Sequence, residues 1–109
     1  MLQYLNIDRV FRSLADPTRR DMVETLALRP SSVSDLADRY DMSLSAVAQH
    51  LKVLEAGGLV TSKKDGRVRT CQVEAERLAE LGAWVADRRT QLERRLDRLE
   101  AHLARGGTI

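Results

Sequence analysis

The stretch Ser43 to Gly58, SLSAVAQHLKVLEAGG, constrains the fold more than any other part of the chain. Leu44, Val47, Leu51 and Leu54 recur at helical spacing and form one apolar stripe that must be covered by the rest of a domain. Ser43 is placed to cap the helix N-terminus, and Gly57 with Gly58 supplies the left-handed stop. The opposite face carries Ser45, Ala46, Gln49, Lys52 and Val53, with His50 at the flank. That face is small, hydrogen-bonding and nearly free of acid. Small side chains permit close approach to a partner, and Ser and Gln can both donate to and accept from base edges in a DNA major groove. The plainer alternative is an amphipathic core helix with a polar outer side, so the surroundings must decide between them.

Downstream, the period changes. Leu59 to Lys64 and Arg67 to Val73 are two strand-like runs around Asp65 and Gly66, which predicts a hairpin with a two-residue turn. Lys63, Lys64, Arg67 and Arg69 cluster on it. A basic hairpin after such a helix is the wing of a winged helix-turn-helix, placed for phosphates or the minor groove. Read alone it is a charged edge that resists aggregation. Charge favours the wing: residues 43–70 sum to +3, residues 1–42 to −1 and residues 71–109 to zero, so the +2 of the whole chain is concentrated here. That distribution is expected of a polyanion binder.

Upstream, Met1 to Ala15 holds Leu5, Ile7, Val10, Phe11 and Leu14, more apolar surface than a lone terminal helix can hide, which predicts packing against another subunit. Asp16 and Pro17 start a second helix with Met22, Val23, Leu26 and Ala27 inward. Thr18, Arg19 and Arg20 sit in its first turn, where the two arginines oppose the macrodipole and can instead hold a phosphate. After the break at Arg29 to Ser31, Ser32 and Asp35 resemble a capping box before a short helix with Val33, Leu36, Ala37 and Tyr40 inward. Asp41 and Met42 then turn into the Ser43 helix.

From Glu74 to about Leu103 only Gly82 interrupts a helix of about 44 Å at 1.5 Å per residue. Leu78, Leu81, Val85, Leu92, Leu96, Leu99 and Leu103 form its stripe, broken at Arg88 and Arg89. A stripe so long cannot be buried in a chain of 109 residues, and a homodimer is the solution.

The fold class expected is thus mostly α with a small β-hairpin wing, in the order ααααββα. It is one domain over 1–109, with an N-terminal dimerisation helix (1–15), a binding core (16–73, wing 59–73) and a long C-terminal dimerisation helix (74–103). No apolar run approaches the roughly 20 residues of a membrane span. Cys71 is the only cysteine and no secretory leader is evident, so the expected location is a reducing cytoplasm. Four aromatic residues, Tyr4, Phe11, Tyr40 and Trp84, leave little for base stacking. No nucleophile with a base, phosphate loop or carboxylate pair suggests an enzyme.

The chain resembles the ArsR family of bacterial winged-helix repressors, at LADPTRRDMVETL (Leu14 to Leu26), SLSAVAQHLKVLEAGGLV (Ser43 to Val60) and KKDGRVRTCQV (Lys63 to Val73). By that resemblance Ser43, Ser45, Ala46, Gln49 and His50 approach bases or nearby phosphates, joined by Lys52. Lys63, Lys64, Arg67 and Arg69 serve the wing. The first and last helices make the dimer, through Leu5, Ile7, Val10, Phe11, Leu14, Leu81, Trp84, Val85, Leu92, Leu96, Leu99 and Leu103. The resemblance implies a two-fold dimer on a palindromic double-stranded DNA operator. Metal-sensing members are similar to one another in cysteine pairs on the third helix or carboxylate and histidine ligands on the last. Here the third helix reads SVSDLADRYD, and the last offers only His102 near Glu100, Asp97 and Glu93. No metal and no cofactor are therefore expected, although Asp97, Glu100 and His102 could assemble across a dimer. The effector ligand is unknown. Two alternatives remain: a protein-interaction module on the same scaffold, and a redox-responsive repressor in which Arg67 and Arg69 lower the pKa of Cys71.

Overall fold

Each of the first four helices begins at a side chain that accepts a hydrogen bond from a backbone N–H three residues on. Asn6 Oδ1 accepts from Arg9 at 3.2 Å, Asp16 Oδ2 from Arg19 at 3.0 Å, Ser32 Oγ from Asp35 at 3.0 Å and Ser43 Oγ from Ala46 at 3.1 Å. These caps satisfy N–H groups that have no partner within the helix. In the computed structural model, which describes residues 6–106, they start α1 (Ile7–Ser13), α2 (Pro17–Leu28), α3 (Val33–Tyr40) and α4 (Leu44–Ala56). Leu5 and the start of the expected first helix lie outside the described residues.

Between α2 and α3 the chain forms a two-residue strand, β1 (Ser31–Ser32), where the sequence suggested only a break. It pairs antiparallel with β3 (Val68–Val73), which pairs on its other side with β2 (Val60–Asp65), giving the order β1-β3-β2. Asp65 pairs with Val68, so the hairpin turn is Gly66 and Arg67, one residue later than expected. Gly66 has φ 62° and Arg67 is not in the positive region, the requirement of a type II′ turn.

The core is built from Val10, Met22, Leu26, Leu36, Ala37, Val47, Leu51, Leu54, Leu59, Val60 and Cys71. Leu14, Val23, Val33, Tyr40, Met42, Val73, Leu78 and Leu81 pack around it. Ala27, expected inward, is exposed. Gly57 is needed for space: a Cβ there would lie 3.1 Å from Ser13 Oγ and 3.3 Å from the Arg9 carbonyl, so α1 and α4 meet nearly backbone to backbone. The left-handed stop falls on Gly58 alone, at φ 79°. Its N–H reaches the Glu55 carbonyl and that of Leu59 reaches Leu54, a Schellman closure. Asp41, at φ 51°, closes α3 in the same way.

The last helix, α5 (Ala75–Ala104), has no buried residue and no side-chain N-cap. Its first turns lie on the core through Leu78 and Leu81, and the remainder projects, giving extents of 69 × 28 × 22 Å. The architecture is a winged helix-turn-helix: α3 and α4 the helix pair, β2 and β3 the wing.

Candidate nucleic-acid interface

With Val47, Leu51 and Leu54 turned into the core, α4 exposes Leu44, Ser45, Ala48, Gln49 and Lys52 along a single ridge. Leu44, expected in the core stripe, is 57 % exposed. It is the first residue after the cap, and the helix there has run past the edge of the core. Ala46 is half-buried on the flank rather than on the ridge, and the Ser43 hydroxyl oxygen is occupied by its capping bond. Ala48, not singled out from the sequence, belongs to the ridge. Its signal was available, since the step from Leu44 through Ala48 to Lys52 is the helical neighbour of the stripe.

On one side of the ridge lies a groove of about 470 Å³ lined by Ser32, Val33, Ser34, Leu44, Ala48, Lys64, Arg67, Val68 and Arg69. Strand register explains the lining. Lys64 and Arg69 face each other across the hairpin, and alternation puts them on the same sheet face as Val60 and Cys71 but beyond the core, toward α4. Lys63 pairs with Thr70 and falls on the opposite face, so the four wing cations do not act as one cluster. Arg69 is also tied down. Its Nη1 donates to Ser62 Oγ at 2.9 Å, and Ser62 Oγ donates to Glu55 Oε1 at 2.7 Å, linking wing to α4. Lys63, Lys64 and Arg67 are exposed.

The arginines at the start of α2 are engaged with the end of α1. Arg19 Nε donates to the Ser13 carbonyl at 2.7 Å and Nη2 to that of Arg12 at 3.1 Å. Arg20 Nη1 donates to the Leu14 carbonyl at 2.7 Å. Both cations cap the C-terminal carbonyls of α1, a favourable end of that helix for positive charge. Thr18 is half-buried beside them. Arg19 Nη1 also lies 3.4 Å from His50 Nδ1. Asp16 Oδ2 is 4.0 Å from the same ring nitrogen. The backbone N–H of Arg19, with smaller contributions from His50 and the Arg19 charge, holds the Asp16 carboxyl below its ordinary value of 3.8. His50, Arg19 and Asp16 thus lock α1, α2 and α4 together, and His50 stands apart from the ridge it was expected to join.

The residues expected at a subunit interface divide. Val10 is fully buried in the core, and Leu14 and Leu81 pack against it, because α1 and the start of α5 cover the domain itself. Ile7 is half-buried, and Trp84, also half-buried, meets Phe11 edge to face with ring centroids 5.6 Å apart. Phe11, Val85, Leu92, Leu96, Leu99 and Leu103 are 40–57 % exposed. From Val85 to Leu103 they extend one stripe about 27 Å along α5 at 1.5 Å per residue.

Comparison with known proteins agrees with this geometry. A family described as a helix-turn-helix domain matches residues 14–63. The HTH-type transcriptional regulator Rv2034 of Mycobacterium tuberculosis is 42 % identical over 94 residues, 86 % of this chain and 81 % of its own length. An ArsR-like transcriptional regulator from Rhodococcus sp. RHA1 superimposes with a TM-score of 0.76 at 32 % identity, over 86 % of this chain and 89 % of that one. The chain belongs to the ArsR family of transcriptional regulators. Another similar structure, at TM-score 0.63 and 26 % identity over 78 % of this chain and 82 % of that one, is the homodimeric winged helix-turn-helix DNA-binding domain Mb0332 from Mycobacterium bovis.

In this ArsR-family regulator, a DNA-binding protein, Cys71 is fully buried on β3. Burial pushes its thiol up, the Glu55 charge adds to that, and Arg69 only partly offsets it. Burial is the ordinary state of a lone cysteine, and it opposes the alternative in which Arg67 and Arg69 lower the pKa of this thiol. Among the described residues no three His, Cys, Asp or Glu side chains converge as metal donors, and no helix is long and apolar enough to cross a membrane.

Proposed function

We propose that this regulator is a homodimeric repressor that reads a palindromic operator with the α4 ridge, holds the duplex with its wing and works without a metal cofactor. The observation that carries the reading is the uncovered stripe on α5, in the same molecule as an exposed polar ridge whose opposite side is fully packed. A second copy covers the stripe and supplies a second α4. Two recognition helices related by a two-fold axis about 34 Å apart meet successive major grooves on one side of the duplex. Within the ridge, Gln49 and Ser45 carry the groups able to discriminate bases, while Leu44 and Ala48 allow close approach and apolar contact with thymine methyl groups. Lys52, Lys64, Arg67 and Arg69 meet phosphates, which position the protein without reading sequence. Metal independence rests on donor chemistry: one imidazole, His102, on α5 and one buried thiol.

The test is a mobility shift of the purified protein on its own upstream DNA against a scrambled duplex, with and without chelator and oxidant. Selective binding that neither treatment alters supports the reading. Release by chelator overturns metal independence. Binding no tighter than to scrambled DNA, combined with capture of a protein partner through the ridge, would favour a protein-interaction module instead.

A further inference from the structure

Two basic grooves flank α4, and the one beside the wing is lined by Lys64, Arg67 and Arg69. The other, also about 470 Å³, is lined by Arg9 and Arg12 of α1 and by Gln49, Lys52, Val53 and Ala56 of α4. We infer that this groove is a second phosphate-binding site, in which Arg9, Arg12 and Lys52 hold the DNA backbone on the side of the recognition helix away from the wing.

Such a site rests on the reading of α4 as the recognition helix, and the dimensions of helix and groove call for it. A helix with its side chains is about 10–12 Å across, and the major groove is about 12 Å wide, so a seated helix is bounded by a sugar-phosphate backbone on each side. The groove with Lys64, Arg67 and Arg69 can take one of these. The other backbone must run along the opposite flank of the ridge, where Gln49 and Lys52 border the α1 groove. Three cations and no carboxylate line that groove, and all three are exposed. Among the described residues, none of the three side chains makes an ion pair or a hydrogen bond with a neighbour, in contrast to Arg19 and Arg20, whose guanidinium groups are spent on α1 carbonyls.

α1 is also held where such a site needs it. At 100° per residue, Val10 and Ser13 point into the core, Phe11 meets Trp84 of α5, and Arg9 and Arg12 fall on the remaining side together with Asp8, which does not line the groove. The close approach of Ser13 and Arg9 to Gly57 fixes the spacing of the two helices. Arg19 bonds to the Ser13 and Arg12 carbonyls and fixes α1 from its other end. The groove is therefore preformed, and binding a phosphate there costs little ordering of the backbone.

The test compares the parent with Arg9→Ala/Arg12→Ala, Arg9→Lys/Arg12→Lys and Lys64→Ala/Arg67→Ala on a duplex of the upstream DNA. Affinity is measured across salt concentrations, and phosphate contacts are mapped by ethylation interference. Thermal unfolding and sedimentation of each variant check that fold and oligomeric state are kept. The expected result is a salt slope reduced by about two in the Arg9→Ala/Arg12→Ala protein, roughly one for each lost contact. The lysine pair should retain the slope. Within each half-site, interference should disappear at the phosphates on the far side of α4 from the wing and persist at those beside the wing, with the reverse for Lys64→Ala/Arg67→Ala. A parental slope and interference pattern in the Arg9→Ala/Arg12→Ala protein, alongside a clear loss in the wing variant, overturns this site and leaves the DNA-binding reading intact. Absence of salt-dependent duplex binding by the parent overturns both.

Discussion

The recognition helix and the distal half of α5 are both amphipathic helices with an exposed face, and they are exposed in opposite senses. α4 has its apolar side against the core, a side-chain cap at its start and a Schellman closure at its end, and, Leu44 apart, it leaves small and polar groups outside. Distal α5 leaves its leucines outside, among arginines and carboxylates that pair along the helix, such as Arg89 Nε with Glu93 Oε1 at 3.0 Å. A helix exposed like α4 is finished as a fold and open to a polar partner. A helix exposed like distal α5 lacks the packing from which helices draw most of their stability. On the proposed reading the first geometry is a binding surface and the second is half of an interface.

Charge placed on the stripe should have the largest effect. Leu92→Glu/Leu99→Glu should leave the core domain folded by circular dichroism and sediment as a monomer. Operator affinity should fall about 10²–10⁴-fold, the advantage of joining two half-site readers. If the variant stays dimeric, α5 is not the interface. Truncation beneath the ridge comes next: Leu54→Ala should cost about 2–5 kcal/mol in urea unfolding, because a fully buried side chain leaves a cavity between α4 and β2.

Much of this was legible before the fold was seen. The caps at Asp16, Ser32 and Ser43, the wing and the oversized terminal stripe all follow from local chemistry. What was not legible depended on long-range placement. Arg19 and Arg20 looked available for phosphate, and only the position of α1 reveals that they cap its carbonyls. Val10 looked like interface because nothing in its own segment says that α1 covers the core. Leu44 kept the period of the stripe, but periodicity does not say where the core ends. The direction of Cys71 required strand register, and the two residues of β1 were too few to give any pattern.

Substitutions on the exposed face of α4 should have smaller effects. Gln49→Ala should lower discrimination against a substituted base pair by about 1–3 kcal/mol while non-specific affinity stays near the parent, measured by competition between duplexes. A uniform loss on all duplexes would assign Gln49 to the backbone instead.

Asp16→Ala should cost about 1 kcal/mol at neutral pH, through loss of the α2 cap. Because the folded carboxyl sits below its ordinary value, this contribution is present above the usual carboxylate range. It fades as pH falls through the lowered value, where protonation removes the charge in the folded state too. Urea titrations of parent and variant should therefore converge at acidic pH; a gap that stays constant would mean that the Asp16 charge is not what stabilises the fold.

The central claim, that an incomplete α5 pairs two complete α4 ridges, is tested most directly by hydroxyl-radical footprinting of the native protein on its upstream DNA. The account predicts two protected segments on one side of the duplex, centred about 10–10.5 base pairs apart and related by two-fold symmetry. A single protected segment, or two with no symmetry between them, would contradict it.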